Sequence, residues 1–308
     1  MTDMQRATSD SPLRFAWPVA GGGYSWRRDL RLWTEKASGI PGDVRRAPEG
    51  PWLLDPGSGG AAYEGRYWHP LRERHDLHVE FAQLPLGDGE EELAALAAFA
   101  SRNGLLGIEE QRVVTTPGEN PDKGVYAGEH LASWQRAIRE MSLLVELAVA
   151  TQGHDSGRLR GLVEWYGGGR GVRISYAFPG DEEPTKLPLL RDVPTLTPDE
   201  RKKLERWRAA SGDQGRYGEP AAFFLNRELN RLLREQLSVQ LPLGGSIELR
   251  PESLYGAMLV LLAEQLSGTW RVNTCKACGR LFVPRHRRDQ ATCSDACRKR
   301  LSRQKAAS

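Results

Sequence analysis

Apolar positions recur along this chain with helical spacing in several stretches and with strand-like alternation in others. Leu93, Leu96, Ala97 and Ala100 share one helical face, and Gly104 then supplies a stop. Leu131, Trp134, Ile138, Met141, Val145 and Ala148 are spaced alternately by three and four, which predicts a helix over about residues 128–150 with one apolar seam. Leu162 and Trp165 extend a short helical pattern that Gly167-Gly168-Gly169 breaks. Val172, Ile174 and Tyr176 alternate as a strand does. A helix over about residues 220–237 buries Leu225, Leu229, Leu232 and Leu233. Another, over about 252–266, is apolar on nearly every side and reads as buried.

The polar positions punctuate this pattern. Residues 179–198 are polar and proline-containing and read as a surface linker. Thr197 then caps a charged helix, with Pro198 at its first position. Val239-Gln240-Leu241 and Ile247-Glu248-Leu249 flank Gly244-Gly245, the signature of a hairpin. Residues 1–12 are polar and expected to fray, and residues 15–70 mix Gly, Pro and aromatics into short strands and turns. Trp17, Trp26, Trp33, Trp52, Tyr63, Tyr67 and Trp68 in that stretch suit a buried aromatic core better than a ligand cage, because these rings bury the most area per residue.

Composition narrows the class. The chain of 308 residues is 39% hydrophobic and 27% charged, which excludes a collagen, a coiled-coil rod or wholesale disorder and leaves room for two domains, or for one large domain with an appendage. The longest apolar run, Gly256 to Ala263, is too short to span a bilayer, so no membrane partner is expected. Residues 1–20 lack a basic start followed by an apolar core, so the expected location is cytoplasmic.

Charge changes the picture at one end. Residues 271–308 hold eleven Lys or Arg against Asp289 and Asp295, a net +9, while the remaining 32 basic and 38 acidic residues leave the rest at −6. A basic end on a weakly acidic body suits a polyanion binder, and equally a tail that docks on its own body.

All four cysteines fall in that end. Cys275-x-x-Cys278-Gly279 is followed by Cys293-Ser294-x-x-Cys297, with fourteen residues between the pairs. Thiolates are soft ligands, and four close the tetrahedral sphere of one structural zinc ion. Gly279 permits the left-handed turn such a knuckle needs, and Leu281-Phe282-Val283 reads as a short strand. Arg285 to Gln290 reads as a polar turn in which His286 is not needed as a ligand, and Ser294 or Asp295 caps a helix that carries Cys297. The alternatives are iron–sulfur ligation or a redox dithiol. A site closed by four thiolates keeps no open position for catalysis. Arg298, Lys299, Arg300, Arg303 and Lys305 follow on the helix, and Arg285, Arg287 and Arg288 on the turn could join them against phosphates. The bland alternative is a solvated helix end whose cations suit the dipole.

Cys275-Lys-Ala-Cys278-Gly279-Arg-Leu-Phe282 with Cys293-Ser294-Asp-Ala-Cys297-Arg298-Lys-Arg300 resembles the C-terminal finger of bacterial CGNR-type zinc finger proteins. That family is regarded as transcription regulators with a mostly helical N-terminal domain called ABATE. The name motif Cys-Gly-Asn-Arg is here Cys297-Arg298-Lys299-Arg300, so two positions carry cations instead. The upstream order is similar too: a long helix, a helix with Asn-Arg-Glu-Leu-Asn at 226–230, a hairpin and an apolar helix entering the finger. Residues 77–107, with Glu80-Phe81-Ala82 and Phe99-Ala100-Ser101-Arg102-Asn103-Gly104-Leu105-Leu106-Gly107, look like uncharacterised bacterial relatives of that group. The resemblance implies DNA, more than RNA, as partner, with a protein partner or small effector for the larger body.

Catalytic signals are weak. His75-x-x-His78-x-Glu80 reads as surface polar residues, since on a strand-like or irregular segment the three alternate faces. Gly167-Gly168-Gly169-Arg170-Gly171 lacks the Lys-Ser or Lys-Thr of a phosphate loop, and Glu90-Glu91-Glu92 suits a helix start. Nothing in the sequence points to an enzyme. The expectation is an α+β chain: residues 1–268 a predominantly helical body with small β elements, and residues 269–308 a treble-clef-like or ribbon-like four-cysteine zinc finger with a basic helix. The expected function is a nucleic-acid-binding transcription regulator. The alternative is a protein-interaction module whose finger is a staple or a docking surface.

Overall fold

The computed structural model describes residues 15–28, 30–34, 43–55, 65–109, 111–115, 125–178, 181–190, 197–240, 248–269, 271–284 and 290–306. The chain divides into two compact units, each assembled from separated segments. The first comprises Met1–Leu77, Gln83–Ile138 and Arg234–Leu261, and the second His78–Ala82, Arg139–Leu233 and Leu262–Ser308. Helix and strand are mixed, as the pattern predicts.

The first unit is built on more than small β elements. Six strands pair antiparallel in the spatial order Ser25–Arg27, Trp52–Asp55, Val125–His130, Gln111–Thr115, Leu30–Thr34, Asp43–Arg46. All four residues of Trp52–Asp55 are buried, so both faces of that strand are covered. Leu30, Ala47, Trp52 and Leu54 form an apolar cluster on which Leu32 and Tyr126 pack. Strands Trp17–Ala20 and Gly65–Trp68 pair separately, and Leu237–Gln240 pairs with Glu248–Pro251 as the hairpin pattern predicts; Gly244-Gly245 lies outside the described residues.

Of the aromatic residues expected to form a core, Trp52 and Trp68 are buried and Trp17 and Trp26 half-buried, while the expectation is corrected at Tyr67, which is 69% exposed on strand Gly65–Trp68. The indole N–H of Trp17 donates to Leu105 O at 2.8 Å, that of Trp26 to Leu93 O at 2.6 Å, and that of Trp68 to Asn103 O at 3.1 Å. All three carbonyls lie on or just past helix Glu90–Asn103, which Gly104 ends at φ 98°. A Cβ on Gly104 would stand 2.5 Å from Pro18 O and 2.7 Å from the Trp17 ring, so only glycine permits that approach. The side chain of Trp33 and all of Tyr63 lie outside the described residues.

The long amphipathic helix runs Leu131–Gln152. Its expected start near Gly128 is corrected: residues 128–130 complete strand Val125–His130, whose ladder with Trp52–Asp55 satisfies their backbone groups first. In the second unit, helix Ser156–Leu162 stops before Trp165, which lies in strand Val163–Tyr166. That strand, Gly171–Tyr176 and Thr185–Leu190 form an antiparallel sheet. Thr185–Leu190 falls in the expected linker. Its one proline, Pro188, does not prevent it from lying at the sheet edge, where one side of the strand needs no partner. Thr197 caps Pro198–Ala209 in a capping box with Glu200, and Glu219–Gln236 buries Leu225, Leu229 and Leu232.

The reading of His75, His78 and Glu80 as surface polar residues is corrected at His78. It lies in helix Leu77–Ala82, is fully buried, and its Nε2 meets Gln265 Oε1 at 2.9 Å. A buried imidazole needs such a partner, and only the fold supplies one 187 residues away. Among the described residues no helix is long and apolar enough to cross a membrane.

Candidate metal centre

The finger begins with a two-residue ladder. Asn273–Thr274 pairs with Leu281–Phe282, and between them the chain turns through the first cysteine pair. Cys275 N donates to Arg280 O at 2.8 Å and Gly279 N to Cys275 O at 2.8 Å, while Gly279 adopts φ 74° as its position after the knuckle predicts. Residues 290–292 return to the knuckle. Lys276 N donates to Ala291 O at 2.9 Å, Asn273 Nδ2 to Gln290 O at 3.0 Å, and Gln290 Nε2 to Thr292 O at 2.8 Å. The second pair opens a helix. Cys297 N donates to Ser294 Oγ at 3.3 Å, so Ser294 is the cap, and the helix runs Asp295–Ala306.

These elements bring the four thiols together. The Sγ atoms of Cys275, Cys278, Cys293 and Cys297 all lie within 4.8 Å of one another. Cys278 and Cys293 are 3.7 Å apart, and Cys293 and Cys297 are 3.6 Å apart. Zinc–sulfur bonds of about 2.3 Å in a tetrahedron place sulfurs about 3.8 Å from each other. A disulfide needs about 2.05 Å, and all four cysteines are free. The cluster can therefore hold a metal ion. Among the described residues no other group of His, Cys, Asp or Glu is gathered in this way.

The local field divides the thiols. Burial works to raise Cys275, yet the amide N–H groups of Cys293, Ala277 and Cys278 hold it down at about 6. Burial and the crowding of the other three thiols push Cys293 up to about 12. A divalent cation among four such closely packed sulfurs would favour their ionised forms. Cys275 is buried, Cys293 and Cys297 are half-buried, and Cys278 is exposed.

The helix beyond Cys297 displays its charge. Arg298 pairs with Asp295 at 3.2 Å, with both side chains well exposed at 72% and 81%. Lys299, Arg300 and Arg303 are exposed, and among the described residues none has an acidic partner. With Ala296 and Gln304 they line one groove along the helix, at the spacing of a single helical face. Lys305 falls within the same helix. Arg285, Arg287 and Arg288 lie outside the described residues, as does His286. Two further cations, Arg271 and Lys276, line a cavity with residues from the end of helix Leu131–Gln152 and the start of helix Ser156–Leu162, and sequence spacing carries no signal for that meeting.

Comparison of the chain with family models, with curated proteins and with solved structures finds no match. What fold and site define together is a mixed helix-and-strand protein with a C-terminal four-cysteine cluster able to hold a metal ion.

Proposed function

We propose that Cys275, Cys278, Cys293 and Cys297 hold one structural zinc ion in a treble-clef-like finger. On this reading the finger presents its C-terminal helix to nucleic acid, DNA rather than RNA, in a cytoplasmic transcription regulator. The observation that carries it is the convergence of four sulfurs at the foot of a helix whose Lys299, Arg300 and Arg303 are exposed and free of acidic partners among the described residues. Bound zinc supplies a crosslink: it neutralises thiolates and ties the knuckle to the helix start. The chain's own part is the display. Each cation that meets a phosphate releases counterions, so three such contacts correspond to a slope of about −2.7 in log affinity against log salt on B-DNA.

Metal quantification and fluorescence anisotropy on the purified full chain test both halves. The expected results are one zinc per chain, and retention of mixed-sequence duplex DNA that falls steeply between roughly 50 and 200 mM salt. Tighter binding to RNA would move the assignment to RNA. No retention of either at low salt would leave the finger as a staple or a docking surface for protein.

A further inference from the structure

The second unit contains a concave site that the proposed function does not use. A cavity of about 520 Å³ is lined by the end of helix Leu131–Gln152 and the turn after it, and by the first strand and knuckle of the finger. Gln152 ends that helix, Asp155 lies in the turn and Arg158 in the following helix Ser156–Leu162, while Arg271 precedes the finger's first strand, Thr274 ends it and Lys276 lies in the knuckle. A volume between about 300 and 1,000 Å³ is the range of small-molecule sites.

The charge of the lining is unbalanced. Arg158 stands 3.5 Å from Glu146 and 3.6 Å from Asp155, so its guanidinium is already offset. Arg271 and Lys276 have no acidic partner among the described residues, and their like charges share one concavity. A concave wall with two uncompensated cations focuses positive potential inward, and an anion relieves it. Arg271 and Lys276 are both exposed at the cavity, where an anion gains charge-assisted hydrogen bonds that an apolar occupant does not, so the chemistry selects an anion.

The lining is also held in place before any ligand arrives. Gln152 Nε2 donates to Gln265 O at 2.7 Å, and Gln265 Nε2 donates to Gln152 Oε1 at 3.2 Å. Gln265 in turn meets His78 Nε2 at 2.9 Å, and both residues are fully buried. On the finger side, Lys276 N donates to Ala291 O at 2.9 Å, and Asn273 Nδ2 ties to Gln290 O at 3.0 Å. A preformed wall lowers the ordering cost of binding.

We propose that this cavity binds a small organic anion, a phosphomonoester or a carboxylate, whose charged group is taken by Arg271 and Lys276. The site is separate from the groove of Lys299, Arg300 and Arg303, and it stands whether or not that groove meets nucleic acid.

Isothermal titration of the metal-loaded full chain with ribose 5-phosphate, and separately with glutarate, tests it and distinguishes the two anion types. Saturable one-to-one binding of either is expected. Charge-assisted hydrogen bonds of this kind imply a loss of about ten-fold with Arg271→Gln and with Lys276→Gln. Arg303→Gln on the helix is expected to leave the affinity unchanged. Metal content and thermal midpoint of each variant report folding. Arg271 lies outside the cysteine knuckle, so its variant keeps the comparison decisive if Lys276→Gln loses metal. Absence of binding by both probes overturns the proposal. Equal weakening by Arg303→Gln overturns it too, because the anion would then respond only to the diffuse charge of the tail.

Discussion

The carboxylate of Glu129 accepts the indole N–H of Trp134 at 2.8 Å inside the first unit, where both residues are buried. The same carboxylate accepts Leu106 N at 2.9 Å and Gly107 N at 2.5 Å. One acid thus satisfies three donors and pins the loop after helix Glu90–Asn103 to the start of helix Leu131–Gln152. Removing it takes the Glu129 acceptor from two buried N–H groups and from the half-buried Gly107 N–H. Glu129→Ala is expected to destabilise the first unit by about 3 kcal/mol, read as a lower urea midpoint at unchanged slope. Glu129→Gln falls between, because its amide oxygen can accept while its NH₂ faces a donor. A Gln variant as unstable as the Ala variant would mean that packing, not acceptance, is what Glu129 supplies.

Gly279 isolates the backbone's share in the metal centre. A Cβ there meets nothing within 4 Å, yet φ is 74°, so a side chain adds only left-handed strain. Gly279→Ala is expected to cost about 1 kcal/mol and weaken metal affinity several-fold, with Gly279→Asn closer to the parent. Competition with a chromophoric chelator measures it. Full metal removal is expected to abolish hydrogen-exchange protection over 273–284 and 290–298, since the described core of the finger offers little more than Cys275, Phe282 and Thr292 as buried residues.

The basic helix makes a prediction by position. Arg298 is shared with Asp295, whereas Lys299, Arg300 and Arg303 line one groove. If the groove carries the phosphate contacts, Arg298→Ala leaves the salt slope unchanged. Each of Lys299→Ala, Arg300→Ala and Arg303→Ala reduces its magnitude by about 0.9. Four equal reductions would favour diffuse charge over a defined face.

The pairing of Arg139 with Asp181 sets a pH dependence in the second unit. Its guanidinium donates to both carboxylate oxygens, at 2.6 and 2.8 Å, and lies 4.9 Å from the Phe178 ring. The hydrogen bonds from Arg139 hold Asp181 below its ordinary value. A depressed folded value means stability that is complete above the unfolded carboxylate range and lost as pH falls through the folded one. Asp181→Asn is therefore expected to unfold earlier than the parent at neutral pH, the gap closing as both are acidified. Parallel thermal melts across the acid range check the sign.

Local information accounts for much of what was legible in the chain. Helical spacing from Leu131 to Ala148, the cap at Thr197, the hairpin around Gly244-Gly245 and the cysteine spacing each depend on residues within a few positions of one another. Such signals survive because their physics is a turn, a cap or a face. The spacing of Cys275, Cys278, Cys293 and Cys297 sufficed to foresee four sulfurs within reach of one ion, because each pair is placed by a single turn and one helix start.

Only the tertiary structure decided which strands meet. The six-stranded order joins Ser25–Arg27 to Trp52–Asp55 and onward to Val125–His130, pairings whose partners are far apart in the chain. It converted an expected linker into strand Thr185–Leu190 and took residues 128–130 from a helix into a ladder. It also buried His78 against Gln265 and set Arg271 and Lys276 around a cavity. The reason is common to all of these. A backbone group or a polar side chain takes the partner that folding delivers, and a partner that lies beyond a turn or a helix face leaves no period in the sequence to read.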